Sequence, residues 1–425
     1  MGGLLDQLTP SDKQVLDTLS KHGQAWIVGG WVRDRLNGSN TTDMDIATNL
    51  HPDAVNQLFE KTISVGAEFG TILVLDDESD NSWEITTLRC DGAYVDGRRP
   101  EDVEFGDDII EDLARRDFTI NAMALDPVTG EIIDEFGGLN DLNAGIIRAV
   151  GNSHDRIRED GLRIMRAFRF LDSEELGTRD LDDDLQVAIS ENLHMLEKVS
   201  SERKWGELSR ILQGVNKTEI IGLMQNFGVL NRVIPETIFS RGERLSSSPL
   251  VNLAILCSKD NRTGIELANH LKKTLRLSNE EASTIRFLHD LQISDLSLEI
   301  SSLRRFNAAC SDSMREEVKQ YFGELGFEFI EASSNIEPQK AGNKPLIDGE
   351  RLMDVTGLEA GVRLGRLKGW LTGDRLKKIF LKLMRLYRCL RRWNGKQKTQ
   401  NHGPLWPGHN HSSFRYSMYS FASRN

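Results

Sequence analysis

The sequence predicts an α/β head with a small mixed sheet, followed by an all-helical remainder. Three observations carry this. Over about the first 140 residues, short apolar runs ending in glycine turns alternate with short helical patterns. From Ile157 onward the apolar period is helical almost throughout. A chain of 425 residues also exceeds one hydrophobic core, so two to four domains are expected.

Taken in order, "AWIVGG" (25–30) reads as a strand running into a glycine turn, and "WVRDRLNG" (31–38) as a short helix ending near Gly38. "DMDIAT" returns as a strand and "PDAVNQLFEKT" as a helix. "TILVLDD" and "SWEITTLR" are β-rich runs separated by an acidic turn. "RCDGAYVDGRRPEDVEF" is glycine-rich and charged, a candidate mobile loop. "DLARRDFTINAMALD" resumes a periodic pattern, and "DEFGGLNDL" closes the region with a second glycine pair. "RIREDGLRIMRAFRFL" then reads as one helix, with Ile157, Ile164, Phe168 and Leu171 on one stripe. "SERKWGELSRIL", "TEIIGLMQNFGVL", "LVNLAILCSK" and "TGIELANHLKKTL" continue the helical period. Residues 333–345 read as a linker, a basic helical segment follows, and the last 30 residues lack periodicity, as expected of disorder.

Composition narrows the class. Hydrophobic content of 39% and charged content of 28% are those of an ordinary globular protein. No stretch of 18 apolar residues is present, so no membrane span is expected, and "MGGLLDQLTP" lacks the pattern of a secretory leader. Cys90, Cys257, Cys310 and Cys389 stand far apart without CxxC spacing, which suits a cytoplasmic location better than a disulfide framework or a zinc site. The net charge of −12 argues at first against a polyanionic partner, but it is unevenly spread. Residues 1–150 hold 11 basic and 29 acidic side chains, whereas residues 340–425 hold 18 basic and 5 acidic. The basic end is where a nucleic-acid backbone can bind.

Asp43 and Asp45 carry the first chemical signal. On a strand, residues i and i+2 share a face, and two carboxylates there repel unless a cation lies between them. Mg2+ takes oxygen ligands, commonly one or two carboxylates plus substrate phosphates. A solvated strand edge is the plain alternative. Gly29 and Gly30 stand just before a helix, where a glycine backbone can approach a phosphate and free N–H groups face it. Arg33 can turn back to the same anion. A tight turn is the alternative for the glycines. Strand, Gly-Gly, helix and DxD strand together describe a triphosphate cradle facing a metal site.

"VGGWVRDRLNG…DMDIAT" resembles the polymerase-β-like nucleotidyltransferase head of class II tRNA nucleotidyltransferases, a family that includes the CCA-adding enzymes and the bacterial poly(A) polymerases. "EDLARRDFTINAMALDP" resembles the family's second motif, "DEFGGLNDL" its head–neck hinge, "RIREDGLRIMRAFRF" its base-recognition helix, and "SERKWGEL", less specifically, the next neck motif. The likeness is strong over residues 25–210 and loose beyond, and Trp31 is bulkier than the pattern leads one to expect. The resemblance implies that Gly29, Gly30 and Arg33 contact nucleotide, that Asp43 and Asp45 bind Mg2+, and that Arg116 contacts the triphosphate. It implies that Asp160, Arg163, Arg166 and Arg169 contact the incoming nucleotide from the neck. Related polymerase folds use a third carboxylate on a neighbouring strand, for which Glu84 is the candidate and a solvent-facing role the alternative.

Asp160 and Arg163, three apart, are expected to share one helix face. An ordinary surface ion pair is the alternative reading. Set against a base, the carboxylate accepts from an amino group while the guanidinium donates to a ring nitrogen. Cytosine and adenine match that pattern, and uracil and guanine oppose it. The expected activity is therefore template-independent transfer of CMP and AMP from CTP and ATP to a tRNA 3′ end, with release of pyrophosphate. A poly(A) polymerase, a CC-adding enzyme and an inactive RNA-binding protein of the same fold are the alternatives. Retention of the loop at residues 89–105 disfavours the CC-only form. The expected division is a head over 1–142, a neck over 143–215, a body over 216–332, a basic helical tail over 346–394 and a disordered end over 395–425. The expected partners are tRNA, CTP and ATP, with no membrane and no obligate protein partner evident. His289-Asp290 and the histidines at 402, 409 and 411 are weak metal signals.

Overall fold

The computed structural model describes residues 3–39, 41, 43–66, 70–76, 81–89, 105–240, 245–293, 297–336, 349–365 and 367. The loop at 90–104, the basic segment from residue 368 and the histidines beyond 400 lie outside the described residues. Two compact units are present, Met1–Asp295 with Glu316–Gly323, and Leu296–Arg315 with Glu324–Asn425.

The first unit opens with helix α1 (Pro10–Ser20), whose start is fixed by a capping box. The Asp12 N–H donates to the Thr9 hydroxyl and the Asp12 carboxylate accepts from the Thr9 N–H. Strand β1 (Ala25–Val28) is buried along its length and leads into α2 (Gly30–Leu36). Strand β2 (Asp45–Thr48) and α3 (Pro52–Leu58) follow. Three strands come next, β3 (Thr62–Gly66), β4 (Thr71–Leu75) and β5 (Ser82–Thr87). In β5, exposed and buried positions alternate, with Trp83 and Ile85 turned to the core. Helix α4 (Ile109–Ala114), β6 (Ala124–Leu125), β7 (Ile132–Ile133) and α5 (Gly138–Ala144) complete this part.

The seven strands form one sheet in the order β3-β4-β5-β2-β1-β6-β7, in which β2 and β5 run parallel and the other neighbours antiparallel. The expected mixed sheet is thus present. It contains three strands absent from the sequence reading, β3, β6 and β7: the helical reading of "PDAVNQLFEKT" obscured β3, since that helix ends at Leu58, and β6 and β7 are only two residues each. Trp31 is 1% exposed and fills the core beside the glycine turn, so its bulk is accommodated.

The rest of the unit is helical apart from a two-residue parallel pairing of β8 (Ile146–Ile147) with β9 (Asp180–Leu181). "RIREDGLRIMRAFRFL" is two helices, α6 (Ser153–Glu159) and α7 (Leu162–Leu171), rather than one. Asp160 between them is extended, with φ −149° and ψ 106°. The break is packed tightly: a Cβ on Gly161 would lie 2.3 Å from the Met195 carbonyl oxygen, so the chain lies there too closely for any other residue. Ile157, Ile164, Phe168 and Leu171 are nonetheless all buried. Helices α8 (Asp183–Glu191), α9 (Ser201–Gln213), α10 (Lys217–Asn226), α11 (Val229–Val233), α12 (Pro249–Leu256), α13 (Gly264–Leu275) and α14 (Asn279–Ile293) follow.

In the second unit, helices over Ile300–Ala309 and Glu324–Ser334 pack through Phe306 and Phe329, edge to face with ring centroids 5.0 Å apart. Arg315 ties them together by donating to Asn307 and Ser333. Among the described residues no helix is long and apolar enough to cross a membrane.

Candidate active site

The end of β1, the start of β2 and the middle of β5 meet at one point of the sheet. Asp45 is the first residue of β2 and lies opposite Val28 on β1 and Glu84 on β5. Register partners on adjacent strands project from the same face, so the carboxylates of Asp45 and Glu84 stand side by side. Asp43 lies just ahead of the strand, so the alternation argument that joined it to Asp45 holds only in part. The two remain close enough for Asp43 to raise the pKa of Asp45.

The chain turns at Gly29 with φ 71°, a conformation that favours glycine. A Cβ there would come within 3.0 Å of Arg116 Nη1 and 3.3 Å of Asp45 Oδ2, so the glycine backbone lies directly against an arginine and a carboxylate. Gly30 begins α2, and Arg33 Nη2 lies 3.6 Å from where its Cβ would be. Arg33 Nε donates to Asp34 Oδ1 at 2.7 Å, and its Nη1 donates to Asn121 Oδ1.

A cleft of about 200 Å³ opens here, lined among others by Asp45, Glu84, Thr86, Asp112, Arg115 and Arg116. Asp45 is accessible at its mouth, yet the surrounding protein removes much of its water and pushes its carboxyl up. Glu84 and Asp43 push the same way, while Arg116 and Arg33 oppose them. Arg116 is anchored by Asp112, 3.2 Å away, and donates to the Asn121 carbonyl. Burial would raise Asp112, but Arg116 and Arg115 hold it below the ordinary carboxylate range.

The chemistry of this donor set fits a hard cation. Two or three carboxylates crowd one face, and the repulsion that raises Asp45 is what a divalent ion relieves. Among the described residues no three such side chains form a closed ligand set. His289 is engaged elsewhere: its Nε2 lies 2.9 Å from the Arg262 carbonyl oxygen, and Asp290 pairs with Arg286.

The neck residues take partners the sequence did not reveal. Arg166 Nε donates to Asp117 Oδ2 at 2.6 Å. Asp117 also accepts from the Phe118 N–H and from Asn121 Nδ2. Burial alone would raise Asp117, and the Arg166 charge with these hydrogen bonds outweighs it and lowers the group. Arg169 pairs with Glu207 at 3.0 Å, and burial brings its pKa down to about 10. Arg33, Arg166 and Arg169 all lie over the Phe170 ring, 4.9, 5.3 and 4.3 Å from its centroid.

Asp160 and Arg163 do not share a helix face, because the chain is extended at Asp160. Asp160 instead accepts from the Leu162 N–H at 3.0 Å and pairs with Arg203 of α9 at 2.7 Å. Arg163 donates to Glu159 at 2.5 Å, to the Arg156 carbonyl at 2.8 Å and to the Arg115 carbonyl at 3.2 Å. The last bond ties the neck to the same segment that carries Arg116. Sequence reasoning missed Asp112, Asp117, Glu207 and Phe170. The spacing of Asp112 from Arg115 and Arg116, and of Arg166 from Phe170, was a local clue, since residues three and four apart meet on a helix. The tertiary partners of the others, such as Arg166 for Asp117, Arg169 for Glu207 and Arg33 for Phe170, meet them only through the fold.

Residues 25–148 match the family described as Poly A polymerase head domain, and residues 180–239 the one described as probable RNA and SrmB-binding site of polymerase A. A CCA-adding enzyme of Bacillus velezensis is 44% identical over 220 residues, covering 52% of this chain and 54% of that one. With several such relatives the chain aligns over about half their length. A Bacillus stearothermophilus CCA-adding enzyme solved in complex with CTP superposes with a TM-score of 0.72 at 26% identity, covering 92% of this chain and 99% of that one. The CCA-adding enzyme of Lactococcus lactis subsp. lactis is 34% identical over 365 residues, 84% of this chain and 90% of its own. An identity of that extent, on a sheet that sets Asp45 beside Glu84 and Gly29 against both Asp45 and Arg116, makes this chain a member of the CCA-adding enzyme family.

Proposed function

We propose that the chain transfers CMP and AMP from CTP and ATP to the 3′ end of tRNA, building or repairing the CCA terminus and releasing pyrophosphate. The observation that carries this reading is the meeting of Asp45, Glu84, Gly29 and Arg116 at one cleft, in a chain related over most of its length to a CCA-adding enzyme. The relatives named above are CCA-adding enzymes, which gives the poly(A) alternative less support.

In this reading Asp43 and Asp45 hold Mg2+, with Glu84 as the third carboxylate. A bound Mg2+ supplies Lewis acidity to the tRNA 3′-hydroxyl and to the oxygens of the leaving pyrophosphate. Gly29 and Gly30 let the triphosphate approach the backbone, and Arg33 and Arg116 neutralise it. Asp160 and Arg163 read the base edge, the first by accepting from an amino group and the second by donating to a ring nitrogen. Their anchoring is separate, with Arg203 holding Asp160 and Glu159 holding Arg163. Arg166 and Arg169, held by Asp117 and Glu207, present a cationic floor stacked on Phe170 beside Arg33. The cytoplasmic location is part of the same reading, supported by the unbridged thiols of Cys257 and Cys310.

The direct test gives the protein Mg2+, a tRNA ending at its discriminator base and all four nucleoside triphosphates, and sequences the 3′ ends. Addition of C, C and A followed by arrest is expected. A long adenylate ladder would transfer the chain to the poly(A) polymerases, and arrest after two cytidines to the CC-adding enzymes.

Gly29→Ala probes the cradle separately. It forces a Cβ into a positive-φ position, at a cost of about 1 kcal/mol, and against Arg116 and Asp45. Transfer should fall by tenfold or more while the melting temperature shifts by only a few degrees. Full activity in a folded Gly29→Ala variant would remove the glycine from the triphosphate site.

A further inference from the structure

We propose that Arg35 is a positioning residue for the metal site: braced on Trp31, it holds the Thr41 carbonyl and so fixes the segment that carries Asp43. The proposal rests on the reading of Asp43 as a Mg2+ ligand.

Asp43 and Asp45 are placed by different means. Asp45 is set by the strand ladder, opposite Val28 on β1 and Glu84 on β5. Asp43 lies ahead of β2, outside that register, and is exposed. The two carboxylates repel each other, so a segment free to move would carry Asp43 away from Asp45. The position of Asp43 therefore depends on what pins the chain on either side of it. On one side Met44 is 3% exposed and anchored in the core. On the other, Arg35 Nη2 donates to the Thr41 carbonyl at 2.8 Å, two residues ahead of Asp43.

Arg35 can serve as an anchor because it is itself held. It lies in the last turn of α2, one helical turn after Trp31, and its guanidinium carbon stands 5.3 Å from the centroid of the indole ring. Trp31 is enclosed in the core, so the ring under the guanidinium is a fixed platform. Arg35 Nη1 also donates to Gln7 Oε1 at 3.4 Å, at the end of the turn Leu4–Gln7. The bulk of Trp31, which departs from the family pattern, thus has a use. The helix that begins at the glycine cradle ends at the brace, and one rigid element sets both.

The sign of the effect separates a brace from a charge. If Arg35 acted only through its charge, removing it would strengthen cation binding, since like charges repel. A brace predicts the opposite: without it Asp43 swings out and fewer carboxylates hold the ion. An arginine that merely stabilises α2 would lower the melting temperature and leave metal affinity alone.

The test reads binding of Mn2+, a paramagnetic stand-in for Mg2+, by electron paramagnetic resonance of the free ion, with the full chain and a nonhydrolysable CTP analogue present. It compares wild type, Arg35→Ala, Arg35→Lys, Asp43→Ala and the double variant, and records a melting temperature for each. Arg35→Ala should weaken Mn2+ binding about tenfold, the scale typical of groups that orient metal ligands. Arg35→Lys, which keeps the charge and loses the planar fork, should fall between it and wild type. The double variant should match Asp43→Ala, because Arg35 acts through that carboxylate. In turnover, the Mg2+ concentration for half-maximal CMP transfer should rise by the same factor, and excess Mg2+ should restore most of the rate. Unchanged or tighter Mn2+ binding in Arg35→Ala would overturn the brace, as would a double variant that adds the full Arg35 penalty. If Arg35→Ala does not fold, Arg35→Lys decides the matter, and wild-type affinity there would overturn the proposal. Unchanged binding in Asp43→Ala would instead sink the metal role of Asp43, and the brace with it.

Discussion

Asp45→Ala is expected to reduce nucleotide transfer by at least about a thousandfold while the protein stays folded. Asp45 is at the exposed start of β2, so its loss leaves no core cavity, and partial desolvation and the neighbouring Glu84 and Asp43 carboxylates disfavour its charge. Removing one of two repelling carboxylates should leave the melting temperature unchanged or slightly higher. Mg2+ binding, followed by calorimetry with a nonhydrolysable nucleotide present, should weaken in parallel. A folded variant that transfers CMP at the wild-type rate would refute the metal assignment, whatever its specificity.

Asp117→Ala is expected to have the largest effect on stability. Asp117 is 8% exposed, accepts three hydrogen bonds and joins the head segment to Arg166 of the neck. Its removal leaves the Arg166 charge with Glu207 as a poorer partner at 3.7 Å and strands an amide of Asn121. Breaking a buried pair in this way costs about 3 kcal/mol, which lowers the melting temperature by roughly 6–12 °C. The pH dependence has a definite sign. Asp117 is held below the ordinary carboxylate range in the folded chain, so the stability it contributes is complete above that range. That contribution is lost as pH falls through the lowered value. Thermal unfolding of wild type and Asp117→Asn on the acid side should therefore converge as the pH drops. A variant that melts within a degree of wild type at neutral pH would show the pair to be incidental.

What could be read from the sequence was local. The glycine turn, the DxD pair and the RRD segment each occupy a few consecutive residues, and their backbone demands are written in those residues. Glu84 could be offered as the third carboxylate, but its position beside Asp45 depends on the parallel register of β2 and β5, which no single segment encodes. The neck shows the limit more sharply. Its apolar stripe is continuous through Asp160, and all four stripe residues are buried, yet the helix breaks there, beside a glycine pressed onto the Met195 carbonyl. The pairing of Asp160 with Arg203 rather than with its neighbour Arg163 follows from that break.

The parallel pairing of β2 with β5 also bears on how the chain reaches its native state. Most neighbours in the sheet, such as β3 with β4 and β4 with β5, are antiparallel and close in sequence, so they can zip from short turns. Asp45 and Glu84 meet only when the whole excursion between residues 48 and 82 closes on itself. Closure over so long a span carries a larger entropic penalty and comes after the local hairpins. Catalytic competence should then be the last property recovered on refolding from denaturant, trailing the return of β-sheet signal. An isolated hairpin of β4 and β5, however well formed, would carry one half of the carboxylate pair and none of the chemistry.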